Sequence, residues 1–388
     1  MKEMKIGLIG YKFMGKAHSH AYKDVNIFFD LPVIPVMKVI CGRSAGPLKM
    51  AMEKFGWQEC ETDWKKIVKR QDIDMVDITS PPDVHKEIAV AAAKEGKAVF
   101  CEKPLAATLK DAYEMLEAVE KYGVRHAICF NYRKLPAIGL ARQLIEKGKI
   151  GRIYHMRAVY LQDWILEPDF PLVWRMDKKV AGSGAHGDLN AHLIDMARYL
   201  VGEFDEVIGV SETFIKERPL IQETGILETG LKDKAKSQET GKVTVDDATA
   251  FLARFTNGAL GCFEATRFAA GRKNGQRFEI NGSKGSILFN LENLNQLEYY
   301  STEDPVYAQG FKTILATDAS HPYAANWWPA GHIIGYGESF VNMVADLLNA
   351  MGKNENPIPN FYDGLKCQEV LNSVEESVVK KKWVKVKQ

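Results

Sequence analysis

The first 130 residues alternate short apolar strands with helices, and few folds accommodate that alternation. A strand over residues 5–10 (KIGLIG) leads into a glycine turn over residues 10–15 (GYKFMG) and a helix from residue 16. Further strands are predicted at residues 36–40, 75–78, 98–100 and 125–130, with helices at residues 51–55, 64–68, 85–93 and 109–122. Strand–helix–strand units of about thirty residues form parallel pairs with right-handed crossovers. We therefore predict a doubly wound α/β sheet, a Rossmann dinucleotide-binding domain, over residues 1–130.

The glycine turn has the chemistry of a pyrophosphate site. Gly10 permits the turn, Gly15 lets the helix pack closely on the strand, and the helix N-terminus faces the phosphates. Lys12 replaces the middle glycine of G-x-G-x-x-G, which normally lets the backbone approach the phosphates. A lysine there can instead offer its charge to the pyrophosphate.

The second strand ends in residues 41–44 (CGRS), where the adenine ribose of a dinucleotide is bound. An NAD site usually has Asp or Glu there, whereas an arginine can accommodate the 2′-phosphate of NADP. Arg43 permits NADP because no carboxylate repels the phosphate, but it can equally stack on the adenine of NAD. The choice between NAD and NADP stays open.

Residues 98–104 (AVFCEKP) predict a buried strand that carries Glu102 and Lys103 to its carboxyl end. Pro104 fixes the turn and favours extended backbone at Lys103. Ligands of open α/β sheets bind at the carboxyl ends of the strands. We therefore expect Lys103 at a ligand site; the alternative is an exposed ion pair in a loop.

After Pro136 the pattern changes to that of a second domain. Strands are predicted at residues 153–160, 248–255, 259–265, 276–280 and 286–289, with a helix at residues 137–146. Turns such as residues 256–258 (TNG) predict a mostly antiparallel sheet. We assign residues 131–388 to this α+β domain for substrate binding and oligomerisation. We assign the helices predicted at residues 339–351 and 364–381 to packing. The polar residues 216–242 are predicted to form a lid, a subunit contact or a disordered loop.

The helix predicted from residue 188 has two stripes. Leu189, Leu193, Met196, Ala197 and Leu200 form the apolar one, and Asp188, His192, Asp195 and Tyr199 the polar one. Residues four apart face each other on a helix, so Asp188 and His192 can act together. The polar stripe is either a solvated face or a functional one. The glycine-rich residues 182–187 before it favour close approach of a ligand or of backbone.

Taken together, these motifs resemble the glucose-fructose oxidoreductase, inositol dehydrogenase and MocA superfamily. The matching residues are the turn from Gly10 to Gly15 with His18, residues 79–81 with His85, residues 102–104 and 131–133, and the Asp-x-x-x-His-x-x-Asp pattern of Asp188, His192 and Asp195. Two residues depart from this family pattern. Lys12 replaces a glycine, and Pro82 stands where the family usually has Asn. The resemblance implies a C-terminal open sheet whose helix-free face pairs with another subunit, in a homodimer or homotetramer.

The resemblance also implies the site residues. Lys103, Asp188 and His192 are the expected catalytic residues. The expected NAD or NADP contacts are Gly10, Lys12, Phe13, Met14, Gly15, Arg43, Ser44, Ser80, Pro81, His85, Glu102 and Lys103, although Glu102 is better suited to supporting the turn than to chemistry. The expected substrate contacts are Tyr132, Gln162, Asp163, Trp164, Trp174 and Arg175, because aromatic rings beside polar groups suit a sugar. The alternative for the aromatic residues is the core or a subunit interface.

Residues 160–164, 217–220 and 335–338 most resemble the branch of glucoside 3-dehydrogenases and levoglucosan dehydrogenases. This implies NAD(P)-dependent oxidation of a secondary hydroxyl, the C3 hydroxyl of a pyranose. The alternatives are a glycosidase that uses NAD for transient C3 oxidation, an inositol dehydrogenase, and a cofactor-sensing regulatory protein. The intact Lys103, Asp188 and His192 disfavour the last.

Composition excludes several other classes. A net charge of +1 does not predict a nucleic-acid-binding surface, and no apolar run is long enough for a membrane helix. The six cysteines form no C-x-x-C pair and the histidines no recognised ligand spacing, so we expect no metal site. Reduced thiols and the lack of a signal-peptide pattern lead us to expect a cytoplasmic protein.

Overall fold

The computed structural model describes residues 2–220 and 239–387. The chain divides into two compact units. The first comprises residues 1–131 and 335–368, and the second comprises residues 132–334 and 369–388.

The first unit contains the predicted doubly wound sheet. Its strands are β1 (Lys2–Ile9), β2 (Val33–Cys41), β3 (Glu59–Glu61), β4 (Met75–Ile78), β5 (Ala98–Glu102) and β6 (His126–Cys129), and its helices are α1 (Phe13–Phe28), α2 (Ala45–Phe55), α3 (Trp64–Val68), α4 (His85–Lys94) and α5 (Leu109–Lys121). The strands are all parallel, in the order β3-β2-β1-β4-β5-β6. This order reverses beside β1, where dinucleotides bind in such sheets. The fold prediction is confirmed.

The second unit is built on a nine-stranded sheet. Its elements are α6 (Pro136–Glu146), β7 (Ile153–Leu161), α7 (Lys178–Ala181), α8 (Ala191–Leu200), β8 (Phe204–Glu212), β9 (Glu217–Pro219), β10 (Thr240–Lys242), β11 (Ala248–Phe255), β12 (Leu260–Thr266), β13 (Gly275–Gly282), β14 (Gly285–Asn290), β15 (Gln296–Ser301) and β16 (Lys312–Leu315). Every strand pair of the large sheet is antiparallel except β7 with β12. On β11, Phe251 and Phe255 are buried while Leu252 and Arg254 are exposed. The sheet therefore has one covered and one open face.

The polar segment at residues 216–242 is described only at its ends. Its strands β9 and β10 pair in an antiparallel manner, with Arg218 opposite Gly241. Residues 221–238, on which the lid, subunit-contact and disorder alternatives depended, lie outside the described residues.

The C-terminal part of the chain contains α9 (Tyr336–Gly352), α10 (Phe361–Lys380) and β17 (Val384–Lys385). Our assignment of residues 335–368 to the second domain was wrong, since they belong to the first unit. The reason is that α9 packs against α1 and buries Phe340, Val344 and Leu348. Its amphipathic pattern predicts a buried face but does not say which sheet that face covers. Among the described residues, no helix has the length and apolar character needed to cross a membrane.

Candidate active site

The glycine turn between β1 and α1 is tightly built. Gly10 has a φ of +116°, and a Cβ at Gly15 would lie 2.1 Å from the Gly10 carbonyl oxygen. The Thr79 hydroxyl donates to that same carbonyl at 3.0 Å. Lys12, by contrast, has a φ of −80°, so the middle position needs no glycine for its conformation. The turn leaves the amides that begin the sixteen-residue α1 available to a pyrophosphate, and these residues fit a dinucleotide.

The end of β2 is exposed where the adenosine group was predicted to bind. Arg43 and Ser44 are exposed there, and Tyr11 fills the space beside Gly42, where a Cβ would lie 2.2 Å from the ring. At the start of α1, Lys12 and Phe13 are exposed and Met14 is partly buried. The exposed Arg43 excludes neither NAD nor NADP.

Glu102 and His18 form the polar support of the Lys103 turn. One carboxylate oxygen of Glu102 accepts from the Lys103 backbone N–H at 3.1 Å, and the other lies 2.9 Å from His18 Nε2. The Lys103 side chain is half-buried. Glu102 is only 4% exposed, so its carboxylate supports the turn from inside the protein.

His85 lies on the other side of this turn. Its ring is completely buried, with Nε2 2.8 Å from the Ser80 carbonyl and Nδ1 3.2 Å from the Leu105 carbonyl. Burial lowers the pKa of His85, so the neutral ring is favoured. Ser80 and Pro81 are partly exposed. A neutral ring donates to one of these carbonyls only, and His85 packs between the residue 79–81 loop and Leu105.

In the second unit, the glycine-rich segment before α8 is a site of close backbone approach. A Cβ at Gly184 would lie 1.8 Å from the Asp246 carbonyl oxygen, and the backbone N–H groups of Gly184 and His186 each donate to the Asp246 carboxylate at 2.7 Å. The chain then forms a π-helical turn, His186–Asn190, before α8 begins. The regular helical spacing that we assumed from Asp188 onward applies only from Ala191.

Asp188 lies in this π-turn and is paired with an arginine that sequence reasoning did not select. Arg267 Nη2 donates to Asp188 Oδ2 at 2.7 Å, with the arginine buried and the carboxylate about 30% exposed. The Arg267 guanidinium also lies 5.2 Å from the Trp164 ring centroid. The available signal was its position directly after β12, within the polar residues 264–267.

Arg175 adds a second positive charge near Asp188. Its guanidinium stacks 4.4 Å from the ring centroid of Trp174, which is 37% exposed. Burial lowers the pKa of Arg175, an effect that the nearby Asp188 opposes and Arg267 reinforces. Trp164 and Trp174, both predicted to contact substrate, thus each lie against an arginine that interacts with Asp188.

His192 is packed among tyrosines. The His192 ring centroid lies 4.6 Å from that of Tyr132 and 5.9 Å from that of Tyr160, and the two tyrosine hydroxyls are 3.0 Å apart. The Tyr160 hydroxyl and the Gln162 amide both donate to Asn274 Oδ1, at 2.7 and 3.0 Å. Asn274 therefore links His192's aromatic surroundings to Gln162, and nothing in its local sequence distinguishes it.

The rest of the polar stripe is not a solvated face. Asp195 is buried and accepts two hydrogen bonds from Arg133, at 2.6 and 2.9 Å. Arg133 also lies 4.9 Å from the Tyr199 ring centroid. This ion pair anchors α8, which carries His192.

Asp163 was predicted to contact substrate. Its carboxylate lies 2.8 Å from the ammonium of the exposed Lys273, and that hydrogen bond lowers the pKa of Asp163.

Comparison with known proteins agrees with this geometry. Residues 4–130 match the model of the oxidoreductase family with an NAD-binding Rossmann fold, and residues 138–288 match the GFO/IDH/MocA C-terminal domain. The chain belongs to the GFO/IDH/MocA oxidoreductase family. It is therefore an NAD(P)-dependent oxidoreductase, as the sequence motifs predicted.

Several proteins resemble the chain over its full length. Levoglucosan dehydrogenase of Pseudarthrobacter phenanthrenivorans is 43% identical, with 100% of this chain and 99% of the relative covered. A solved levoglucosan dehydrogenase in complex with NADH and levoglucosan has a TM-score of 0.94 at 43% identity, with both chains covered completely. The oxidoreductase domain protein from Kribbella flavida also has a TM-score of 0.94, at 48% identity and complete coverage of both chains.

Among the described residues, His18, Glu102 and Cys129 form the one group with metal-like spacing, their ligand atoms within 4.8 Å of one another. Both His18 ring nitrogens lie within hydrogen-bonding distance of carboxylates, and burial raises the pKa of the Cys129 thiol to about 12. A thiol with so high a pKa is a poor metal ligand because metals bind the thiolate. This group therefore does not fit a metal ion.

Proposed function

We propose that the protein is a sugar dehydrogenase that oxidises the C3 hydroxyl of a pyranose, such as levoglucosan or another glucoside, to a ketone. The observation that carries the proposal is the environment of His192 in the second unit. Its imidazole is buried against Tyr132 and Tyr160 on the helix that follows the Asp188 turn. Aromatic faces beside a general base and a carboxylate suit a polyhydroxylated ring, since sugars stack apolar faces while polar groups bind the hydroxyls.

The roles of the three catalytic residues follow from their chemistry. His192 removes the hydroxyl proton, because an imidazole titrates near neutral pH. Asp188, kept ionised by Arg267, accepts a hydrogen bond that orients the substrate and stabilises the imidazolium. Lys103 donates to the substrate oxygen as negative charge develops. A dinucleotide held at the Gly10–Gly15 turn would supply the hydride acceptor.

The same reasoning assigns the substrate-binding groups. The Trp164 indole N–H donates to Gln162 Oε1 at 2.9 Å, which fixes both side chains beside the Tyr160–Asn274 pair. We assign the stacking surface to Trp164 and Trp174, and hydroxyl recognition to Gln162 and Arg175. Gly10, Lys12, Phe13, Met14, Gly15, Arg43, Ser44, Ser80 and Pro81 are assigned to the cofactor.

The test is nicotinamide absorbance with NAD and with NADP against glucosides, levoglucosan, inositols and free hexoses. We expect net formation of reduced cofactor, with the product identified by NMR as the 3-keto sugar. Preferential turnover of an inositol would support the inositol dehydrogenase alternative. Release of a reducing sugar without net cofactor reduction would support the glycosidase. Cofactor binding without turnover of any compound would contradict all three enzyme functions and support a sensing role.

We propose further that copies of the chain associate through the open face of the nine-stranded sheet. Val210, Leu252 and Leu260 are each about half exposed or more there, beside the Arg254–Glu206 ion pair. Light scattering of the wild-type protein should give a dimer or tetramer, and Leu252→Lys should shift it to smaller species. Val306→Lys, at a residue 86% exposed outside the sheet, is the control. An unchanged mass for Leu252→Lys would contradict this interface.

We also propose a cytoplasmic location, because all six cysteines are free thiols and a reducing compartment preserves them. Cell fractionation with an antibody against the chain tests this. Recovery in an oxidising compartment would contradict it.

A further inference from the structure

A continuous group of buried polar side chains lies beneath the Lys103 turn, within the first unit. His18 Nδ1 is 2.8 Å from Asp77 Oδ2, and His18 Nε2 is 2.9 Å from Glu102 Oε1. The Tyr22 hydroxyl donates to the same Asp77 oxygen at 2.8 Å. His18, Asp77 and Glu102 are each less than 5% exposed, so water does not replace these contacts.

The two carboxylates require a charged histidine. A neutral imidazole has one N–H, whereas an imidazolium donates from both nitrogens. Burial disfavours the charged ring, but Asp77 and Cys129 together outweigh this effect, and the pKa of His18 is raised well above its usual value. The groups that face the ring are Asp77 on β4, Glu102 on β5, Cys129 on β6, and the aromatic rings of Phe100 and Phe340. An imidazolium donates to both carboxylates, whereas a neutral ring leaves one of them without a donor from His18.

His18 also connects two functional segments. It lies on α1, which begins directly after the glycine turn, and it contacts Glu102, whose second oxygen accepts from the Lys103 N–H. A change at His18 therefore reaches Lys103 through one side chain. The ring itself is 1% exposed and does not contact solvent.

We propose that His18, as an imidazolium between Asp77 and Glu102, is a positioning residue that holds the Lys103 turn in its catalytic conformation. The proposal rests on the proposed dehydrogenase function for the role of Lys103. The conformation of the turn itself does not depend on that function. Without His18, Asp77 and Glu102 are left as buried carboxylates without a cation between them, and Glu102 can no longer be held on both sides.

The kinetic test compares His18→Gln with His20→Gln. Gln retains a hydrogen-bond donor but carries no charge, and His20 lies on the same helix with its side chain 44% exposed. In His18→Gln we expect kcat to fall by about 100-fold, the size of effect that misplacement of a catalytic group produces, while KM for sugar and the Kd for NADH change by less than about threefold. His20→Gln should match the wild type. An unchanged kcat, or a loss of NADH affinity as large as the loss in kcat, would overturn the proposal.

A second measurement does not depend on turnover. Reductive methylation with a 13C label reports each lysine by NMR, and the Lys103 signal is assigned by its disappearance in Lys103→Arg. His18→Gln should shift this signal and His20→Gln should not. Glu102→Gln, which keeps the shape of the side chain but loses its charge, should shift it as well and serves if His18→Gln does not fold.

The two measurements separate the two proposals. A shifted Lys103 signal in a protein that oxidises no sugar would contradict the dehydrogenase function and support the positioning role. A Lys103 signal unmoved in both His18→Gln and Glu102→Gln would overturn the positioning role even if the enzyme is active. In the wild type, the His18 ring nitrogens should give imidazolium shifts at about pH 8, and neutral-ring shifts there would also overturn it.

Discussion

The guanidinium of Arg267 donates to the carboxylate of Asp188 over 2.7 Å, and the pair has one buried and one partly exposed member. Arginine stays protonated at any working pH, so the adjacent carboxylate is stabilised as the anion. Asp188 is therefore suited to accept hydrogen bonds and to stabilise positive charge, and poorly suited to donate a proton. This relationship distinguishes its role from that of His192.

We predict that Arg267→Gln impairs the chemistry more than it impairs cofactor binding. A hydrogen bond to a charged group contributes on the order of 1.5–3 kcal/mol, so kcat/KM for sugar should fall by about 10- to 100-fold. The Kd for NADH, measured by fluorescence, should stay near the wild-type value. The control is Arg272→Gln, which loses an exposed pair with Glu292. Equal kcat/KM in the two variants would show that the Arg267–Asp188 pair does not serve the reaction.

Lys103→Met should lower kcat by about 100- to 1,000-fold, the cost of removing one donor to a developing oxyanion. Methionine retains the length of the apolar stem but offers no donor. Steady-state kinetics measure the loss, and Lys110→Met, at a side chain 84% exposed, is the control. Near wild-type turnover in Lys103→Met would exclude the assigned role.

His192→Asn should remove the general base and lower kcat by about 100- to 10,000-fold. The loss should be smaller at high pH, because hydroxide replaces part of the base function, and the wild-type decline of kcat/KM on the acid side should disappear. The pH profile is the measurement, with His332→Gln, at an exposed histidine, as the control. If kcat/KM of the variant still declines at acid pH, a group other than His192 causes that decline.

The parts of this molecule that follow local rules were predictable from the sequence. The Asp63 side chain accepts from the Lys65 N–H and starts α3 at the predicted residue. The parallel sheet and the position of the glycine turn follow from periodicity and turn chemistry in the same way. These features depend on residues close together in the chain.

The parts that depend on distant residues were not predictable. Arg267 reaches Asp188 because β12 packs near the π-helical turn, and Asn274 reaches Tyr160 because β13 pairs with β7. Asp195 looked compatible with a solvated face because its partner Arg133 is 62 residues away. Likewise, the sequence of α9 shows an apolar face but does not show that this face packs against α1.

His126 allows a prediction about acid stability. It is 5% exposed, and its Nδ1 accepts from the Phe361 backbone N–H at 3.1 Å, which requires an unprotonated nitrogen. Burial, with a further contribution from Arg125, lowers the pKa of His126 to about 4. In the unfolded chain the group titrates near 6.5. Between pH 6.5 and 4 the unfolded state binds more protons at His126 than the folded state does. The stabilisation that neutral His126 gives the folded state is therefore present above about pH 6.5 and is lost as the pH falls towards 4.

We predict that His126→Asn flattens this acid loss. Its amide oxygen can accept from the same backbone N–H and does not titrate. Across this range the wild-type free energy of unfolding should fall relative to that of the variant by up to about 1.4 kcal/mol per pH unit, as measured by urea unfolding at each pH. Other titrating groups cancel in the comparison, and His20→Gln, at an exposed histidine, should parallel the wild type. Parallel curves for the wild type and His126→Asn would mean that His126 is protonated without cost in the folded protein.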